Sequence, residues 1–184
     1  MKNVREQIAA YRPQCEQEER DRAQMLAFLD GNEGWLTRDN AMAHITASAW
    51  VVNPERTHVL MAFHNIYQSW SWVGGHADGD SDLLAVAVRE AEEETGVRAR
   101  PVSEEIFSLE SLCVEGHVKR GAFVSPHIHM NVTFLLEADG ASATRSKPDE
   151  NSGVMWVPFE QVNQKCSEPY MRTVYDKLMR RVRG

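Results

Sequence analysis

Glu90, Glu92, Glu93 and Glu94 fall within five consecutive positions at the end of one stretch, GGHADGDSDLLAVAVREAEEETGV, which runs from Gly74 to Val97. The spacing of its apolar residues predicts a helix. Leu84, Ala87, Val88, Ala91 and Thr95 recur at three- and four-residue steps, giving a small, mostly apolar stripe that can lie on a sheet. Asp80, Ser81 and Asp82 offer N-cap side chains before it, and Gly96 is a left-handed stop after it. On such a helix Glu90 and Glu94 lie about 40° apart on one flank with Glu93 beside them, and like charges so spaced repel by roughly 0.2–0.5 kcal/mol. Carboxylates near a helix C-terminus also meet the negative end of the macrodipole, at about 0.3–1 kcal/mol each. Arg89 can bridge to Glu93 but cannot neutralise the cluster.

An acidic run is most simply a solvated face. Two features argue otherwise here. The run follows a Gly-Gly turn and an Asp/Gly-rich loop, where backbone approaches something closely, and the Glu90–Glu94 flank borders the buried stripe. Hard oxygen ligands along a cleft wall suit Mg²⁺ or Mn²⁺ shared with substrate phosphates, and such a cation would relieve the repulsion.

From Gly75 onward the segment resembles the Nudix box, a glycine and a spaced glutamate followed by Arg-Glu-apolar-x-Glu-Glu-x-Gly-apolar. Gly75, Arg89, Glu90, Ala91, Glu93, Glu94, Gly96 and Val97 match in place, whereas Ser81 stands where the family has its first Glu. The flanking HITASAWVVN and GGHADGD are similar to a bacterial subgroup of the family, and the likeness runs from about His44 to Phe159. The resemblance implies a Nudix-type α/β/α sandwich with a mixed β-sheet. It also implies hydrolysis of a diphosphate linked to a nucleoside or other group, with Mg²⁺ as cofactor and Mn²⁺ as the alternative. By motif position, Glu90 and Glu94 would be the principal metal ligands, joined by the backbone carbonyl of Gly74. Glu93 would be a ligand through water or a proton acceptor, Arg89 would orient the carboxylates, and Glu92 would be solvated. Family members also recruit an acid from a loop ahead of a late strand with a Trp. Glu150, six residues before Trp156 in KPDENSGVMW, is the candidate, with Asp149 its nearest competitor.

Other polar and aromatic residues are less decisive. His76 directly follows the double glycine and is a candidate substrate contact. In SPHIHM, His127 and His129 point to one face of a strand about 7 Å apart, while Ile128, Met130, Val132 and Phe134 form the core face. Two histidines without a third nitrogen or sulfur ligand make a poor zinc site, so His129 is read as a phosphate or base contact or as part of a solvated face. Trp70 and Trp72 precede VGG; one packs the core, and Trp72 is kept as a candidate for stacking a nucleobase, worth about 1–3 kcal/mol. Lys177, Arg180, Arg181 and Arg183 read as favourable charge at a helix C-terminus.

The whole chain sets the frame. Its 184 residues, 42% hydrophobic, suffice for one well-packed domain, and a net charge of −7 argues against a nucleic-acid backbone as partner. Cys15, Cys113 and Cys166 form no C-x-x-C pair. No signal-like segment and no run of eighteen apolar residues appears, so a cytoplasmic protein without membrane insertion is expected. Residues 1–34 read as an N-terminal helical extension interrupted at Pro13, which could pack across a homodimer, and 35–184 as the Nudix domain. Strands are predicted over 43–52, 57–63, 102–113, 128–137 and 153–157, with a short helix from PFEQV and a final one over 170–183.

The leading functional expectation is a Mg²⁺-dependent pyrophosphohydrolase acting on a nucleoside diphosphate derivative or a nucleoside triphosphate. Two alternatives accompany it. One is an isopentenyl-diphosphate isomerase-like enzyme, since WVGGH is faintly similar to that group's motif, although Gly74 or Gly75 occupies the place of its catalytic Cys. The other is a catalytically inactive Nudix-fold ligand sensor, favoured only by Ser81.

Overall fold

Strand β1 (Ala43–Val52) is buried at every position, and its two-residue alternation separates two layers of the molecule. The computed structural model describes residues 3–119 and 121–184. Ala43, Ile45, Ala47, Ala49 and Val51 join one core with α1 (Val4–Ala10), α2 (Glu16–Gly31) and α3 (Leu83–Thr95). Trp50 and Val52 join a second core beneath α4 (Val162–Lys165) and α5 (Pro169–Arg183). Each fully buried large apolar side chain, such as Ile45, Leu60 or Phe134, contributes about 1.5–3 kcal/mol. His44, Thr46 and Ser48 share the face of Trp50 but belong to neither apolar cluster. Half of one sheet face is therefore polar.

The sheet is mixed. β9 (His127–Glu137) runs parallel to β1, with His44 opposite His129 and Ser48 opposite Thr133. The other pairings are antiparallel. β2 (His58–His64) pairs with the end of β1 at Val52–Val59, and β4 (Val73–His76) takes its place along Thr46–Ala49. β3 (Ser69–Ser71) and β10 (Asn151–Pro158) pair with β2, while β5 (Arg100–Pro101) and β6 (Ser108–Val114) pair with β9. β7 (His117–Lys119) and β8 (Ala122–Val124) form a separate hairpin. Helices on both faces of this sheet make the α/β/α sandwich.

Several local expectations are corrected. Residues 102–107 are not strand: Glu105 N–H donates to Ser103 Oγ in a polar turn, and the β6–β9 register begins at Ser108. The buried stripe of α3 is Leu83, Val86, Ala87, Ala91 and Thr95, with Leu84 and Val88 only half-buried. Glu90 and Glu94 thus continue the inward face of the helix instead of bordering it. Lys177 and Arg181, expected only as favourable charge at the helix end, also enter buried ion pairs. Lys177 Nζ lies 3.2 Å from Glu18 and 2.9 Å from Glu110, both fully buried, and Arg181 Nη2 lies 2.7 Å from Glu18. Apart from these corrections, a further feature of the fold is that the N-terminal helices place Val4, Ile8, Met25 and Leu29 in the same core as β1 and α3. Among the described residues, no helix is long and apolar enough to cross a membrane.

Candidate functional site

The acidic helix is set in place by short-range chemistry. Asp82 caps α3, its Oδ1 accepting the Ala85 N–H at 3.1 Å, and Gly96 ends it in the left-handed region at φ 72°. Below the helix lies the glycine pair of β4. A Cβ at Gly75 would lie 2.5 Å from Cδ of Glu90, and the Gly74 N–H donates to Glu94 Oε1 at 2.8 Å. The two glycines make room for two carboxylates beneath a helix packed on a sheet.

Glu150 completes the group. Its loop is a tight turn, with Glu150 N–H and Asn151 N–H both donating to Lys147 O, and Asn151 Nδ2 donates to the Glu94 carbonyl at 3.0 Å. One carboxylate oxygen from each of Glu90, Glu94 and Glu150 lies within 4.8 Å of the others. Burial pushes the Glu94 carboxyl up to about 8; the Gly74 N–H opposes this, while Glu150 and Glu90 add to it. Burial and then Glu93 likewise raise Glu90. Lys147 Nζ is the adjacent cation, 3.1 Å from Glu150 and 3.5 Å from Glu93. Three hard carboxylates driven together and partly desolvated fit a divalent cation of the Mg²⁺ type.

Other expected residues are placed differently. Glu93 is half-exposed, and it lines with Arg89 an open hollow on the outer side of α3. Arg89 reaches Asp80 at 3.4 Å, so the expected bridge to Glu93 is made by Lys147 instead. Asp149 is exposed and outside the carboxylate group. Of the run Asp80-Ser81-Asp82, one member holds Arg89, one caps the helix, and exposed Ser81 lies between them.

The carboxylates open onto a cleft of about 690 Å³ whose lining includes Gly74, Gly75, Trp72, His76, His129 and Lys147. Its floor is the polar half of the sheet face. Asn131 Oδ1 accepts from Thr46 Oγ1 at 3.0 Å and Ser48 Oγ at 2.7 Å, and its Nδ2 donates to Glu110 at 3.2 Å, which Lys177 holds. Trp72 lines the cleft with its ring edge against Tyr175, 5.6 Å away, and Trp70 packs on Phe63. At the other end of the floor four imidazoles gather. The ring of His44 is 4.9 Å from His127 and 5.1 Å from both His129 and His76. Burial holds His44 below the ordinary imidazole range against the opposing Asn40 carbonyl.

Sequence reasoning missed His44, Lys147 and Asn131. The alternation His44, Thr46, Ser48 within HITASAW carried a signal, since polar residues at every second position mark a strand face not meant for apolar packing. Nothing local in sequence marks the pairing across β1 and β9 that brings a third histidine to His127 and His129.

A mixed sheet between helical layers, with a glycine-seated acidic helix over one cleft, defines the class of the fold and site. The model of the NUDIX domain matches residues 42–178, and the chain belongs to that family. It is 31% identical over 121 residues to the CMP-5'-(N-acetyl-N-hydroxy-3-aminopropyl)phosphonate hydrolase of Streptomyces rubellomurinus, covering 62% of this chain and 52% of that one. Against the m7GpppN-mRNA hydrolase NUDT17 of Xenopus laevis it is 32% identical over 116 residues, 60% of this chain and 37% of that one. The match thus spans about half the length of the first relative and less of the second. The fold is similar to that of a NUDIX-family hydrolase from Clostridium perfringens, with a TM-score of 0.55 at 16% identity, covering 74% of this chain and 95% of that one.

Proposed function

We propose that this chain is a Mg²⁺-dependent pyrophosphohydrolase, with Mn²⁺ as an alternative ion, cleaving the diphosphate linkage of a nucleoside diphosphate derivative or a nucleoside triphosphate. The observation that carries the reading is the convergence of Glu90, Glu94 and Glu150 around the Gly74–Gly75 seat. Both relatives are named as hydrolases of nucleotide-bearing compounds, which supports a nucleotide moiety in the substrate. A small-molecule substrate in a cytoplasmic setting fits the net charge of −7, which disfavours a nucleic-acid backbone.

Glu90 and Glu94 would hold the ion with the Gly74 carbonyl. A bound divalent ion supplies charge neutralisation at the phosphates and a more acidic water. The chain's own groups do the rest. Gly74 N–H fixes the direction of the Glu94 carboxylate. Glu150, partly exposed on its turn, would accept the proton of the attacking water, and Lys147, 3.1 Å from it, would offer its positive charge to the phosphates. Glu93, outside the group of three, serves as an auxiliary acid through water. Arg89, held by Asp80, positions the start of the helix. His76, His129 and Trp72 line the path along which phosphates and base would lie.

The test is a screen of nucleoside triphosphates, sugar nucleotides, dinucleotides and prenyl diphosphates with Mg²⁺ or Mn²⁺, identifying the phosphate products. On the substrate found, Glu94→Gln should lower kcat/KM by at least about a hundredfold, several kcal/mol of transition-state stabilisation. Turnover near wild type in that variant would remove the metal-ligand assignment. Glu150→Gln should lower kcat by about 10²–10⁴-fold with little change in KM, as loss of a proton acceptor does.

A further inference from the structure

The imidazoles at the far end of the cleft floor are only partly absorbed by the diphosphate reading. His44 is 4% exposed, and its Nδ1 lies 3.1 Å from the Asn40 carbonyl. That carbonyl can only accept, so Nδ1 carries the proton and Nε2 presents a lone pair. Among the described residues this Nε2 has no hydrogen-bond partner. An orphaned buried acceptor costs about 1–3 kcal/mol unless something meets it.

His127 is arranged in the same way, its Nδ1 2.8 Å from the Ser125 carbonyl and its Nε2 turned to His129 Nε2 at 3.1 Å. Two nitrogens bound to one tetrahedral ion at about 2.0–2.1 Å are separated by about 3.3 Å. The observed spacing is close to that value. One ring nitrogen from each of His44, His127 and His129 lies within 4.8 Å of the other two. The arrangement is set by the backbone, since His44 and His129 are register partners on parallel strands and His127 is two residues along the same strand face. A backbone carbonyl behind a ligating imidazole fixes its tautomer and orientation, the outer support that metal-binding histidines ordinarily have.

We propose that His44, His127 and His129 form a nitrogen-ligand site for a first-row transition dication, with Zn²⁺ as the reference ion, separate from the carboxylate group. Imidazoles favour Zn²⁺, Ni²⁺ or Cu²⁺, whereas the carboxylates of Glu90, Glu94 and Glu150 favour Mg²⁺ or Mn²⁺. The two ends of one cleft thus select different ions. Three protein ligands leave a fourth position for water, a substrate oxygen or His76, whose ring is 5.1 Å from His44 and 4.9 Å from His129. The site rests on its own residues and does not depend on the diphosphate chemistry.

The experiment uses the full chain stripped of metal by chelation. Zn²⁺ is titrated calorimetrically in excess Mg²⁺, and Co²⁺ is added separately as a spectroscopic probe. One equivalent of Zn²⁺ should bind despite the Mg²⁺, and Co²⁺ should give the intense visible absorption of a four-coordinate site. His127→Ala and His129→Ala, at half-buried positions, should each weaken Zn²⁺ binding by at least about a hundredfold, beyond the 10–100-fold typical of losing an outer partner. Their circular dichroism and melting should match those of the wild-type apoprotein. Glu94→Gln should change Zn²⁺ affinity by less than about threefold, as distant sites do. No saturable Zn²⁺ uptake at micromolar concentrations would overturn the proposal. So would uptake unaffected by both histidine variants, or uptake lost in Glu94→Gln.

Discussion

Gly74 and Gly75 are neighbours in sequence, yet the space each leaves empty belongs to a different part of the protein. A Cβ on Gly75 meets the end of a flexible side chain, Cδ of Glu90 at 2.5 Å, whereas one on Gly74 meets backbone, Ala47 O at 2.5 Å and Ser48 Cα at 2.7 Å. Gly75→Ala should therefore fold with a melting temperature close to wild type while displacing Glu90. A misplacement of that order lowers kcat by about 10²-fold. Gly74→Ala should instead push β4 from β1 and destabilise the fold by about 1–3 kcal/mol, the usual range for overpacking. Thermal unfolding and kcat, measured side by side, separate the two; equal loss of stability in both variants would contradict the distinction. The same residue-by-residue division explains how Ser81 is accommodated: the flanking aspartates already hold Arg89 and cap the helix.

At the scale of elements, α5 is tied to the sheet by ion pairs as well as by its apolar face. Lys177 serves two fully buried carboxylates, Glu18 from α2 and Glu110 from β6. Lys177→Met keeps the stem but strips Glu110 of its cation, and breaking a buried pair from one side costs about 3–5 kcal/mol. Denaturant unfolding should show that loss, and Glu110→Gln in the same background should restore part of it. The elements were legible in sequence where periodicity was strong. Strand 43–52 matches the observed β1 residue for residue, and α3 lies between the predicted aspartate cap and the Gly96 stop, although its buried stripe is offset from the predicted one. Short pieces defined by their partners were not legible: β3 and β4 exist because β2 and β1 pair with them. The site divides along the same line. Glu90 and Glu94 are spaced by one helix and could be named from the sequence itself, whereas Glu150, held on a tight turn, is reached only through the family resemblance. His44 and Asn131 act through pairing between β1 and β9, and the Glu18–Lys177 contact joins residues from opposite ends of the chain.

For the molecule as a whole, the carboxylate group makes stability depend on pH. Glu94 is pushed up to about 8 in the fold by burial and by Glu150 and Glu90, against about 4.3 in the unfolded chain. A raised folded value means that its contribution is fully present below the unfolded value and is lost as pH rises through the folded one. His44, lowered by burial, acts with the opposite sign as pH falls below about 6.5. The clearest window is thus between pH 6.5 and 8 with chelator present. There the melting temperature of wild type should fall relative to Glu94→Gln, and saturating Mg²⁺ should remove the difference by favouring the ionised form. A parallel pH dependence of the two proteins would show that Glu94 is already ionised. The alternation of β1 has a further consequence for how such a molecule can diverge. Ile45, Ala47 and Ala49 answer to the packing of α3, while His44, Thr46 and Ser48 answer to whatever occupies the cleft. Descendants of this chain could exchange the second set for a new ligand while inheriting the first unchanged, so one short strand supplies both ancestry and novelty.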